Sequence, residues 1–142
     1  MKILVSACLL GIDCKYNGKN NKNEQVLQLL KGHDLIPVCP EIMGGLQTPR
    51  TPSEIQEDQV ITKDGRNVTK QYQKGAEETL KIAKLYNCKN AILKEKSPSC
   101  GCGKIYDGTF TGTLIDGDGI TARLLKEHGV KITGETILDI TE

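Results

Sequence analysis

The chain has 142 residues, 37% of them hydrophobic and 26% charged, with 19 Lys and Arg against 18 Asp and Glu for a formal net charge of +1. That is enough chain to bury a core as one ordinary domain spanning residues 1–142, and it excludes a general electrostatic field for nucleic acid or an anionic membrane. No stretch approaches the roughly 20 apolar residues of a membrane span, and the amino terminus lacks a signal-peptide pattern, so a cytoplasmic protein is expected.

The first predicted strand covers residues 2–7 and is almost continuously apolar, as a strand covered on both faces should be. It runs straight into Cys8 and a turn-rich loop through Gly11, Cys14, Tyr16 and Gly18. A helix is expected over residues 22–31, because Val26, Leu27, Leu29 and Leu30 share one broad face and Gly32 is a natural stop. The second strand, residues 35–38, runs straight into Cys39, Pro40 and Glu41.

Two glycines and two prolines between Gly44 and Pro52 forbid a long helix or a central strand, so this insertion is expected to wall a binding site. Residues 59–68 read as a small hairpin around Lys63-Asp64-Gly65. The longest helix is predicted over residues 69–87, where Tyr72, Ala76, Leu80, Ala83 and Tyr86 recur at helical spacing. It leads through Cys88 into a third strand at residues 91–93. The loop beyond carries Lys94, Ser97, Pro98, Ser99, Cys100 and Cys102 among glycines, the composition of a segment that presents groups to a ligand. Short strand pieces follow at 105–110 and 113–115, then a helix over 120–128 capped by Asp118, and a last strand at 130–133.

Alternation of strand and helix favours right-handed crossovers and a parallel sheet. The expected fold is therefore α/β, a single Rossmann-like or flavodoxin-like domain with a mostly parallel sheet of about four strands and an added hairpin insertion. In such a sheet Cys8, Cys39 and Cys100 gather at the carboxyl edge of neighbouring strands, where open α/β sheets place their ligands.

Six cysteines in a small cytoplasmic domain are more readily ligands or reactive thiols than a disulfide framework. Cys88 precedes its strand and belongs at the opposite edge as a packed thiol, while Cys14 and Cys102 lie near the favoured edge without an assignment. The paired spacing of a zinc ribbon is missing, and thiolate-rich sites suit either zinc or iron and sulfur, so spacing leaves the metal open. Glu41, two residues past Cys39, is a candidate to move protons, or else a helix-terminus residue or a partner of Arg50. Ser97 and Ser99 are candidates to hydrogen-bond a substrate, although Ser-Pro-Ser is also ordinary turn chemistry. Arg50 and Lys94 could hold an anion or a polar ring edge. Gly117-Asp118-Gly119 imitates a dinucleotide fingerprint, with Asp139 about 20 residues further on. Two other readings follow from these features: a zinc-binding or persulfide-carrying protein, and a non-enzymatic nucleotide-binding module.

Several pieces, in order, resemble the TudS-like family, which includes thiouracil desulfidases. They are Ser6-Ala7-Cys8-Leu9-Leu10-Gly11 with Cys14 to Gly18; Cys39-Pro40-Glu41 with Gly44-Gly45-Leu46 and Pro49-Arg50; and Lys94 with Ser97-Pro98-Ser99-Cys100-Gly101, residues 105–108 and Phe110. Lys15, Asn17 and Asn67 depart from the pattern, standing where Arg or Asp is expected, and Cys102 is an extra thiol.

The resemblance implies a [4Fe-4S] cluster held by Cys8, Cys39 and Cys100, with one iron left without a protein ligand. It implies non-redox desulfuration of a thiolated pyrimidine such as thiouracil, a small-molecule substrate, with release of hydrosulfide. Glu41 would then transfer protons and Ser97 or Ser99 would assist the leaving sulfur.

Overall fold

The computed structural model describes residues 1–140; the last two residues of the expected domain lie outside that range. Its centre is a four-stranded parallel sheet of β1 (Lys2–Ser6), β2 (Asp34–Val38), β5 (Asn90–Ile92) and β8 (Lys131–Thr133), in the order β2-β1-β5-β8. This is the Rossmann-like arrangement expected, with β1 flanked by β2 and β5. Two antiparallel hairpins stand apart from it: β3 (Ser53–Gln56) with β4 (Gln59–Thr62), and β6 (Lys104–Tyr106) with β7 (Leu114–Asp116).

The apolar run of β1 is explained by its two covered faces, since Ile3, Leu4 and Val5 are all fully buried. Ile3 and Val5 pack with Leu9, Val26 and Ile92 under α1 (Glu24–Gln28) and the C-terminal residues Leu138 and Ile140. Leu4 points the other way, into a cluster with Ala83, Ala91, Ala122 and Leu125 beneath α3 (Thr69–Leu85) and α4 (Ile120–Glu127). Each such side chain contributes about 1.5–3 kcal/mol by leaving water, which fixes the strand and hence the position of the loop at its carboxyl end.

The helix expected over residues 22–31 is shorter than its pattern. Asn23 caps α1, its side-chain oxygen accepting from Val26 N at 3.0 Å, and the chain tightens into a 3-10 turn at Leu29–Lys31 before Gly32. The insertion also differs from expectation. Its hairpin begins at Ser53, with Glu57 at φ 58° making the turn, and Lys63-Asp64-Gly65 forms a second turn that returns Asn67 to Ile61. Nothing in residues 53–56 alternates strongly enough to announce β3, because Glu54 is a buried carboxylate at a strand position.

The start of α4 corrects the expected cap. Gly119 occupies the N-cap position and Asp118 makes no capping bond to the helix; its carboxylate accepts from Gly103 N and from Lys126 Nζ. The free N–H groups of the first turn are instead met by the preceding loop, with Ile120 N donating to the Pro98 carbonyl and Thr121 N to that of Ser99, both at 2.9 Å. A methyl on Gly119 would overlap the Ser99 carbonyl. The glycines that imitate a dinucleotide fingerprint thus follow a hairpin strand, and at Gly119 the missing side chain admits backbone.

Candidate metal centre

Three loops leave the carboxyl ends of adjacent strands and converge. Cys8 lies in the 3-10 turn Ala7–Leu10 after β1, Cys39 directly follows β2 and starts α2 (Pro40–Met43), and Cys100 lies in the loop after β5. All three line one open cavity of about 570 Å3, together with Cys14, Glu41 and Ser97. That volume is typical of a small-molecule site, about 300–1,000 Å3.

Cys14 sits between two of the others. Its carbonyl accepts from Cys39 Sγ at 3.8 Å, and its buried side chain is the main cause that brings Cys8 and Cys39 each down from 9.0 to about 7. The cost falls on Cys14, whose own proton is held far more tightly, chiefly by the same side-chain interaction with Cys39 and Cys8 and then by burial. Cys100 is pushed up, chiefly by burial, with the Ser6 side chain working in the opposite direction. Ser6 Oγ accepts from Lys94 N at 2.9 Å, tying the ends of β1 and β5 together.

Cys88 is buried at the far edge of the sheet beside Leu80, Val130 and His128, and burial raises its thiol as well. Cys102 packs on the core and does not line the cavity.

The carboxylate of Glu41 is held from two sides. Arg50 Nε donates to its Oε1 at 3.0 Å and the Tyr72 hydroxyl donates to the same oxygen at 2.9 Å. Arg50 has little freedom to bind anything else: its remaining nitrogens reach the Cys14 carbonyl at 2.8 Å, the Thr48 hydroxyl at 2.9 Å and the Gln47 carbonyl at 3.3 Å. Lys94 is likewise engaged, by Glu135 at 2.9 Å and the Glu95 carbonyl at 3.0 Å. Glu41 is thus the partner of Arg50 and lies in the first turn of α2, two of the expected readings, and it also lines the cavity.

The two serines separate. Ser97 Oγ accepts from the N–H groups of Ser99 and Cys100, each at 3.1 Å, and faces the cavity with its hydroxyl proton available. Ser99 is fully buried, its Oγ bonded to Thr121 Oγ1 at 2.8 Å, and it does not line the cavity. It staples the loop to α4 and so fixes where Ser97 and Cys100 stand.

Tyr72 and Glu54 also line the cavity, and the sequence marks neither as a site residue. Tyr72 carries a helical-periodicity signal that reads as core, which it also is; the residue is 2% exposed while its hydroxyl reaches Glu41. No sequence signal marks Glu54, because its partners lie more than fifty residues away, at Gly108 and Phe110.

The donor set suits a group larger than one ion. Among the described residues, no three His, Cys, Asp or Glu side chains close around a single metal ion, yet Cys8, Cys39 and Cys100 face one volume from three separate strand ends. Soft sulfur donors spread around a shared space are the ligand type that an iron–sulfur cage takes.

The family model described as 2-thiouracil desulfurase matches residues 3–136. The chain is 45% identical over 147 aligned positions to the uncharacterized protein YbbK of Bacillus subtilis (strain 168), covering 96% of this chain and 97% of the relative. Among solved structures it resembles the [4Fe-4S]-dependent thiouracil desulfidase TudS, with a TM-score of 0.89, 41% identity, and coverage of 95% of this chain and 91% of that one. The zinc or persulfide carrier and the nucleotide-binding module find no support in these matches.

Proposed function

The chain belongs to the 2-thiouracil desulfurase family, and from that membership we propose that it removes sulfur from a thiolated pyrimidine such as thiouracil, using a [4Fe-4S] cluster held by Cys8, Cys39 and Cys100. The observation that carries this reading is the meeting of those three thiols with Glu41 and Ser97 on one cavity at the carboxyl edge of the sheet. When bound, such a cluster supplies an iron without a protein ligand, a Lewis acid able to accept the substrate's sulfur.

The rest of the chemistry belongs to side chains. The reaction exchanges C=S and water for C=O and hydrogen sulfide, so no electrons enter or leave and the demand is for proton transfer. Glu41 accepts a proton from the attacking water at the oxygen that is not occupied by Arg50 and Tyr72, and returns one to the departing sulfur or ring nitrogen. Arg50 and Tyr72 hold that carboxylate in place; desolvation, then the charge of Glu41, keep the Tyr72 hydroxyl protonated and donating. Ser97 donates its hydroxyl proton toward the sulfur, having already accepted two backbone N–H bonds that fix its oxygen. The whole chain acts as a single domain.

No helix among the described residues is long and apolar enough to cross a membrane, and we place the enzyme in the reducing cytoplasm, which favours thiolate ligands. The test is anaerobic reconstitution with iron and sulfide followed by incubation with thiouracil and no reductant. Uracil and sulfide should appear in equal amounts. Sulfide release that requires an added electron donor would contradict the hydrolytic reading.

A further inference from the structure

The loop between β6 and β7 carries Phe110, the only phenylalanine of the chain, which lines the cavity with its backbone at φ 58°. A bulky residue in the left-handed region is held there only when its surroundings over-determine it. Here the restraint comes from Glu54 on β3. Its Oε1 accepts from Gly108 N at 3.0 Å and from Phe110 N at 3.1 Å. Two residues along, Gln56 Nε2 donates to the Gly108 carbonyl at 2.8 Å. Gly108 itself, at φ 94°, sits so close to β3 that a methyl there would stand 2.8 Å from the Ile55 carbonyl oxygen. A carboxylate that is only 9% exposed is costly to keep unless its charge is absorbed, and two backbone N–H donors do that.

We propose that Glu54 is a positioning residue, a clip that sets the Phe110 ring as the apolar wall on which the flat heteroaromatic substrate rests, making Phe110 a specificity-determining contact. The inference rests on the thiopyrimidine reading above and adds to it the surface that recognises the ring. A planar ring gains from face or edge contact with an aromatic wall at little ordering cost, and the wall faces the same volume as Cys8, Cys39 and Glu41. Glu54 also lines that volume, so a role in proton transfer is the competing explanation, and the two differ in what an amide replacement does. The E54Q substitution keeps a side-chain oxygen able to accept both N–H bonds but removes the group that could carry a proton.

The experiment compares E54Q, E54A and F110A with the wild type by amide hydrogen exchange at Gly108 and Phe110 in the apo protein, and by kcat and KM for thiouracil in the reconstituted one. Faster exchange at both amides in E54A, near-wild-type exchange in E54Q, and a KM raised on the order of tenfold in E54A and F110A with kcat little changed are expected. Unchanged exchange in E54A, or a collapse of kcat in E54Q with KM intact, would overturn the clip. If the wild type turns over no thiouracil, the functional reading fails by itself. The clip is then decided by exchange and by direct binding of thiouracil to wild type and F110A, where equal affinities would overturn it.

Discussion

Gly44 and Gly75 face one another across the contact of α2 with α3 so closely that a methyl on Gly75 would overlap the Pro40 carbonyl oxygen and a methyl on Gly44 would overlap that of Gln71. The two glycines let a four-residue helix lie directly on a long one, and Glu41 rides on the short helix. The bond from Tyr72, one turn before Gly75 on α3, is a consequence of this approach.

Gly75→Ala should therefore act on both stability and catalysis. Overpacking a tight contact costs about 1–3 kcal/mol, and the relief available is to push α2, with Cys39 and Glu41, away from α3. A lower midpoint in thermal denaturation and a reduced desulfuration rate are expected together. A variant as stable and as active as the wild type would mean that the helices separate without moving Glu41.

Glu41→Gln should remove proton transfer while leaving the thiols untouched. Turnover of thiouracil should fall by about 10²–10⁴-fold, with iron and sulfide content unchanged. Tyr72→Phe takes away one of two donors to the carboxylate and should lower kcat on the order of tenfold. The check is steady-state kinetics at matched cluster content, since a loss explained by missing iron would not bear on Glu41.

The apo thiols should show an unusual pH dependence. Cys8 and Cys39 are brought down to about 7 by the Cys14 thiol, so alkylation of these two, followed by mass spectrometry, should rise through that pH rather than near 9. The effect on stability has a definite sign: a lowered thiol favours the folded state above the ordinary value of 9.0, and that contribution is lost as pH falls through about 7. Cys100 and Cys88, both raised by burial, contribute below 9 and lose their contribution as pH climbs beyond it. Cys14→Ala should move the reactivity of Cys8 and Cys39 back toward the ordinary range.

The parallel sheet was legible because its strands are short, aliphatic and each followed at once by a change of composition. Cys8 and Cys39 could be placed at one edge from that punctuation alone, and Cys100 because Ala91, Ile92 and Leu93 precede its loop. The separate fates of Ser97 and Ser99 were not legible. Two residues apart in a turn, they point to opposite sides, and only the docking of α4 through Thr121 decides which one is buried. Glu54 carries no signal in the sequence for a related reason, since a carboxylate that serves backbone groups more than fifty residues away leaves no local pattern. The Asp118 cap is not formed because carbonyls of the neighbouring loop reach the helix start first.

The central claim is that Cys8, Cys39 and Cys100 hold one cluster between them, and its most direct measurement is iron and acid-labile sulfide per chain after anaerobic reconstitution of Cys8→Ala, Cys39→Ala, Cys100→Ala and, as a comparison, Cys88→Ala. Each of the first three should lose the cluster and its visible absorption while Cys88→Ala, altered at the far edge of the sheet, keeps both. A full complement of iron and sulfide in any of the first three would contradict the assignment.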